Sequence, residues 1–154
     1  MRRTGIGSDF EIEHDSADTD DVARLVLTRS ERKWLVEVKA TRDRSARMTA
    51  VQARTAVDEG DGFLLCVVPI TGEIADMELR TIQDEMKFVT NIGSRIAPLR
   101  NNLERFQELR TDITAHESHG VQLEVESGAA RIRVTGPVWE DGGIRLAELA
   151  ERLA

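Results

Sequence analysis

The chain of 154 residues has 28 acidic and 21 basic side chains, a formal net charge of −7 and a hydrophobic content of 40%. This length fits one domain with a single core, and the negative charge argues against a protein that coats nucleic acid nonspecifically. The sequence has no apolar run long enough to cross a membrane, and its first residues lack the apolar core of a secretory signal. The single cysteine, Cys66, has no partner for an internal disulfide, so we expect a cytoplasmic protein with no membrane partner.

The first half of the chain alternates predicted strands with one helix. Two of the strands are separated by a turn at 30–33 and predict a hairpin, which a basic loop follows. Thr49 with Gln52 three residues later is a capping box, which predicts a helix over 50–59. The near-continuous apolar run FLLCVVPI predicts a strand covered on both faces, reached by a crossover onto the same sheet. Strands are predicted at 8–14, 22–28, 34–40 and 63–70.

The second half has helical periodicity followed by a second hairpin. Apolar spacing predicts helices over 78–92 and 99–113, and a short closing helix over 144–153. Between the second of these helices and the closing helix, strands are predicted at 121–127 and 130–136, and they form the hairpin. The pattern predicts an α/β (mixed α+β) protein, with residues 1–72 as the core and 73–154 as a helical and β-hairpin extension packed on the same domain.

An acidic and a basic residue lie two positions apart in a strongly apolar predicted strand. In WLVEVKATR (34–42), Glu37 and Lys39 point to one face of the strand, and Val36 and Val38 point to the other. Such a pair is either an ordinary ion pair at a sheet edge or part of a functional site. Only three of the 21 basic residues are lysines, and a compact amine that can lose its proton favours a functional site.

The segment that follows is basic. TRDRSARMTAVQAR (41–54) contains one acidic residue, Asp43, against four arginines, namely Arg42, Arg44, Arg47 and Arg54. An acidic chain with one local group of arginines can bind a phosphate backbone at that group. The alternative interpretation is a solvated loop and helix face.

The order of these features resembles a known group of enzymes. GSDFEIE, WLVEVKAT, RMTAVQARTA and DGFLLCVV follow one another as in the PD-(D/E)XK nuclease superfamily, and more closely as in the nuclease-like C-terminal domain first named after the plant protein NO VEIN. The resemblance covers roughly residues 5–70. It implies a restriction-endonuclease-like mixed β-sheet flanked by helices, with residues 73–154 outside the superfamily core. It also implies a C-terminal fragment of a larger protein, because such bacterial domains resemble the tails of helicases or ATPases linked to phage defence.

The resemblance further implies a metal-dependent endonuclease that hydrolyses DNA phosphodiester bonds. The carboxylates of Asp9 and Glu37 and the backbone carbonyl of Val38 would bind Mg²⁺ or Mn²⁺ through oxygen. The metal would polarise a phosphoryl oxygen and acidify a bound water. Lys39 would position that water or stabilise charge in the transition state, and Gln52 would orient the water or contact a phosphate.

Several of these assignments keep an alternative. Glu11 or Asp15 could replace Asp9, and Glu11 is the better substitute because it lies on the same strand face as Asp9. Gln52 could serve only the capping box. RNA stays open as a substrate, and a homodimer is compatible with the sequence. The alternative function is a non-catalytic module for nucleic-acid docking or oligomerisation within a larger ATPase- or helicase-type protein.

Overall fold

The computed structural model describes residues 11–14, 24–106, 117–126 and 129–154. Within these ranges the backbone forms two β-sheets and five α-helices, which confirms the mixed α/β class. The strands are β1 (Glu11–His14), β2 (Arg24–Arg29), β3 (Arg32–Thr41), β4 (Ala46–Thr49), β5 (Phe63–Pro69), β6 (Lys87–Val89), β7 (Glu117–Ser118), β8 (Val121–Glu126) and β9 (Ala129–Val134). The helices are α1 (Ala50–Glu59), α2 (Leu79–Glu85), α3 (Ile92–Ile96), α4 (Arg100–Arg105) and α5 (Leu146–Leu153). Among the described residues, no helix combines the length and hydropathy needed to span a bilayer.

The first sheet has the strand order β1-β2-β3-β5-β6 and mixed strand directions. β2 and β3 form the predicted antiparallel hairpin, in which Leu25 lies opposite Val36. β3 and β5 run parallel, with Glu37 opposite Leu65, and α1 connects them in the chain. The predicted hairpin and crossover are therefore confirmed.

The start of α1 is fixed by its own sequence. The Thr49 hydroxyl accepts a hydrogen bond from the backbone N–H of Gln52 at 3.2 Å, and the Gln52 side-chain oxygen accepts one from the Thr49 N–H at 2.9 Å. These two bonds satisfy two N–H groups that a helix end otherwise leaves without a partner. The helix then ends at Gly60, whose φ of 55° lies in the region that glycine tolerates best. The predicted capping box and helix bounds are confirmed.

The first sheet buries both of its faces. On one face, Leu65 packs in a cluster with residues of α1, α3 and the second sheet. On the other face, Leu64 and Cys66 pack with Trp34 and with Leu149 of α5. This alternation along β5 confirms the strand covered on both faces. Burial raises the pKa of the Cys66 thiol to about 12, so the thiol stays protonated at neutral pH and packs as a small apolar group.

The second sheet joins residues from both halves of the chain. Its strand order is β4-β9-β8-β7, and β8 and β9 form the predicted second hairpin. Met48 of β4 is buried against this hairpin, opposite Ile132 of β9. β6, from the second half of the chain, is the edge strand of the first sheet beside β5. Each half therefore contributes a strand to the other half's sheet.

The prediction of one helix over 78–92 is wrong. α2 ends at Glu85, and β6 and α3 follow it. Met86 already has extended backbone, with φ −64° and ψ 144°, and Phe88 and Val89 are buried in the sheet. The edge of β5 offers this segment backbone hydrogen bonds and a buried position, which together outweigh its helical spacing.

The other predicted elements differ less from the structure. The predicted basic loop contains strand β4, and the closing helix α5 begins two residues later than predicted. The helix predicted over 99–113 is observed as α4, and residues 107–116 lie outside the described part of the chain.

A close contact between two helices sets the position of α1. A Cβ atom added to Gly93 of α3 would lie 2.2 Å from the backbone carbonyl oxygen of Ala56 in α1. We expect Gly93→Ala to lower the free energy of unfolding by about 2 kcal/mol, because the two helices must move apart. Urea denaturation would measure this loss. Gly62→Ala is the matched control, since the nearest atom to its added Cβ would be 3.8 Å away. Equal stability of the two variants would contradict the close packing.

Candidate functional site

Glu37 is a carboxylate buried within the first sheet. It lies on β3 between Arg24 of β2 and Leu65 of β5, and 0% of its surface is exposed. Strand alternation places its side chain on the face that α1 covers, opposite to the side chains of Val36 and Val38. A carboxylate in such a position is costly unless neighbouring groups bind it.

Two side chains bind the same oxygen of Glu37. The Lys39 ammonium Nζ lies 3.0 Å from Glu37 Oε1. The Gln52 side-chain amide donates a hydrogen bond to that oxygen at 2.8 Å. Gln52 is itself buried. The Lys39 side chain is 13% exposed, so the cluster of these three side chains reaches the molecular surface at Lys39. The structure therefore brings together three of the predicted catalytic residues.

The capping box determines what Gln52 can do at this site. Its Oε1 accepts from the Thr49 backbone N–H, so its Nε2 is the atom directed at Glu37. The capping contact and the contact with Glu37 thus occur together. Because the amide oxygen already holds the helix start, Gln52 acts as a positioning residue that fixes the carboxylate, and this arrangement does not favour the predicted role of orienting water.

The position of the second predicted carboxylate is only partly described. Asp9 and Asp15 lie outside the described residues. The backbone of Glu11 lies opposite Thr28, whereas Glu37 lies opposite Arg24, at the other end of β2. Four residues of strand correspond to about 13 Å, which separates the backbones of Glu11 and Glu37 along the sheet, and Asp9, Glu11 and Asp15 stay predicted alternatives for the second carboxylate.

The described residues supply some of the oxygen donors that a divalent metal site needs. Within the described ranges, no group of three or more His, Cys, Asp or Glu side chains could hold a metal ion. Glu37 offers a carboxylate, and the next residue, Val38, offers a backbone carbonyl while its side chain packs on the other face of the sheet. Oxygen donors of this type suit Mg²⁺, which keeps several waters and often takes only one or two carboxylates. The donor chemistry fits Mg²⁺, and the second carboxylate, predicted as Asp9, lies outside the described residues.

Two of the predicted DNA-binding arginines contact residues that are distant in the chain. Arg44 forms an ion pair with Glu140, in which Arg44 Nε lies 2.8 Å from Glu140 Oε1 and Nη2 binds the other oxygen. These hydrogen bonds hold the pKa of the Glu140 carboxyl below its usual value and raise the pKa of Arg44. Arg42 donates to the backbone carbonyl of Gly72 at 2.6 Å.

The other two predicted arginines lie on different elements of the fold. Arg47 lies on β4 and pairs with Asp43 at 3.2 Å. Arg54 lies on α1 two residues after Gln52, which corresponds to a rotation of about 200° around the helix axis. Arg54 is exposed on the side of α1 away from the buried Gln52. Arg42, Arg44 and Arg47 therefore each bind a group of the protein itself.

Two buried polar residues beside the site were not predicted from the sequence. Thr41 and Ser45 are each 5% exposed, and the Thr41 hydroxyl donates to the Ser45 backbone carbonyl at 2.8 Å. This bond closes the corner between β3 and β4. Thr41 lies two residues after Lys39 on the same strand face, so strand alternation was the signal that could have identified it.

The site joins the middle of β3 to the first turn of α1. A fully buried carboxylate, a nearly buried lysine and an oriented amide can bind a cation or stabilise negative charge on a substrate at the surface beside Lys39. The chain was compared with protein-family models, curated proteins and solved structures, and no match was found in any of the three.

Proposed function

We propose that the protein is a metal-dependent endonuclease with a restriction-endonuclease-like fold that hydrolyses DNA phosphodiester bonds. The observation that supports this most strongly is the buried Glu37, with Lys39 at 3.0 Å and Gln52 at 2.8 Å, on a strand that leads through a helix into a parallel neighbour. Burying a carboxylate and an ammonium together rarely benefits stability alone. Such groups cluster at functional sites, because chemistry requires their charge.

Each residue has a defined part in this proposal. Glu37 and the Val38 carbonyl would hold Mg²⁺ or Mn²⁺ together with Asp9, and the metal would polarise the scissile phosphate and acidify a water. The Lys39 ammonium, at the surface end of the group, stabilises the negative charge that develops on the phosphate oxygens. Gln52 holds the Glu37 carboxylate in place from α1. A role in phage defence, as part of a larger helicase- or ATPase-type protein, is proposed from the sequence resemblance alone.

One observation favours the alternative of a non-catalytic module for nucleic-acid docking or oligomerisation. Glu37 Oε1 is bound by both Gln52 and Lys39, so two side chains of the protein already bind the carboxylate oxygen that the proposal gives to a metal site. In that alternative, the three side chains only fasten α1 to the first sheet.

Nicking of supercoiled plasmid DNA by the purified chain separates the two functions. We expect nicks with Mg²⁺ or Mn²⁺ and none with EDTA, since a bound divalent ion supplies the activated water. A labelled RNA of matched sequence, incubated in parallel, tests the other nucleic acid. Absence of nicking with either metal, in a preparation shown to be folded, would contradict the nuclease proposal and favour the docking module.

A further inference from the structure

Thr49 lies where the second sheet meets the start of α1. It is the last residue of β4, where it lies opposite Arg131 of β9, and it is also the residue that caps α1. Its backbone N–H donates to Gln52 Oε1 at 2.9 Å. The second sheet therefore sets the position of an N–H group that binds a side chain of the candidate site.

The Thr49 N–H group determines which end of the Gln52 amide faces Glu37. An N–H group can only donate, so it requires the oxygen end of the amide. The nitrogen Nε2 is then directed at Glu37 Oε1, to which it donates at 2.8 Å. A reversed amide would set two donors against each other at Thr49 and two acceptors against each other at Glu37. Only one orientation of the amide therefore satisfies both contacts.

Glu37 Oε1 faces two groups that can only donate to it. The Lys39 ammonium carries donors and no acceptor, and it lies 3.0 Å from this oxygen. The Gln52 amide presents its donor end because Thr49 binds its oxygen end. Glu37 and Gln52 are both buried, so an amide donor that lost this acceptor would cost free energy. The arrangement therefore suits Glu37 as a negative charge that attracts a cation, and it does not suit Glu37 as a proton donor.

We infer that Thr49 is a positioning residue of the candidate site and that the ligand of this site is a cation. The backbone N–H of Thr49 holds the Gln52 amide, and Gln52 in turn holds Glu37 as an acceptor-only carboxylate. Residues behind a metal ligand commonly fix its orientation in this way. We call the series Thr49, Gln52 and Glu37 the relay. The inference rests on the proposed nuclease function where it identifies the cation as Mg²⁺ or Mn²⁺.

Amide hydrogen exchange of the whole chain, followed by NMR without metal, tests the relay independently of any nuclease activity. Glu37→Leu removes the acceptor of Gln52 Nε2, so the Thr49 N–H should exchange at least about tenfold faster. The Ile144 amide, which donates to the Phe88 carbonyl at 2.9 Å, should stay slow and reports that the variant is folded. Unchanged exchange at Thr49 would overturn the inference, because Gln52 would then serve only the capping box.

Two substitutions at Thr49 separate its backbone N–H from its hydroxyl, and they decide the question if Glu37→Leu does not fold. Thr49→Ala and Thr49→Pro both lose the hydroxyl that caps α1, and only proline also loses the N–H. Proline fits at this position, because Thr49 has a φ of −67° and Met48 before it lies in a strand. We expect Mn²⁺, titrated by calorimetry, to bind the proline variant about tenfold more weakly than the alanine variant.

The outcomes distinguish a failure of this inference from a failure of the proposed function. Equal Mn²⁺ affinity of the two folded Thr49 variants would overturn the positioning role, even if the wild-type chain nicks plasmid. Mn²⁺ binding that depends on the Thr49 N–H, without any nicking, would reject the nuclease and support the cation site. Coupled exchange of Thr49 and Glu37 without any Mn²⁺ binding would reject the cation and leave a relay that only fastens α1 to the first sheet.

Discussion

The Glu37→Gln protein should remain folded and lose metal-dependent plasmid nicking by a factor of at least about 10². Glutamine has nearly the same shape, and its side-chain oxygen can still accept the hydrogen bond that Gln52 donates to Glu37 at 2.8 Å. The substitution removes the negative charge that would hold a divalent cation. Nicking rates measured over a range of Mg²⁺ concentrations, together with a melting curve, would check both parts of this expectation.

Glu148→Gln is the matched control, because it makes the same substitution at an exposed carboxylate of α5. That variant should nick DNA at the wild-type rate. If Glu37→Gln nicked as fast as Glu148→Gln, Glu37 would have no part in catalysis.

Lys39→Ala should lower the free energy of unfolding by about 3 kcal/mol. It should also slow nicking, because the proposed reaction uses the Lys39 ammonium to stabilise charge on the phosphate oxygens. Glu37 is 0% exposed and the Lys39 ammonium lies 3.0 Å from its carboxylate, so removing the lysine leaves a buried negative charge without that compensation. Neutralising the carboxylate in the same molecule removes the cause of the loss. The double variant Lys39→Ala with Glu37→Gln should therefore recover part of the stability.

Urea denaturation of the wild type, both single variants and the double variant gives the coupling between the two residues as a double-mutant cycle. A coupling near zero would mean that the contact between Lys39 and Glu37 does not stabilise the protein. The ion pair would then have to be regarded as a weak surface pair, in conflict with the burial of Glu37.

The elements predicted well are those whose signals are local. The capping box of Thr49 and Gln52 lies within four residues and fixes the start of α1 in the structure as in the sequence. The strand β5 could be predicted because both of its faces are buried, so its sequence is almost continuously apolar. The approach of Lys39 to Glu37 followed from strand alternation.

The elements missed depend on partners that are distant in the chain. Met86 and Val89 fit the helical spacing of the helix predicted over 78–92, and the open edge beside β5 places Val89 in a strand instead. β4 has four residues and two outward polar side chains, so its pairing with β9 could not be read from the sequence around Arg47. Arg133, whose Nε donates to Ser45 Oγ at 2.9 Å, was missed as a neighbour of the site for the same reason, because Ser45 lies 88 positions away in the chain.

The exchange of strands between the two sheets limits how the protein can be divided. Cutting the chain near residue 72 would leave β4 without β9, and β5 without β6 on its outer side. Either piece would then expose a strand edge, and such edges recruit other chains and promote aggregation. A shortened version that ends after β5 is therefore a poor choice for expression, and a graft of the Glu37 site into another scaffold would have to carry β6 and the β8–β9 hairpin with it.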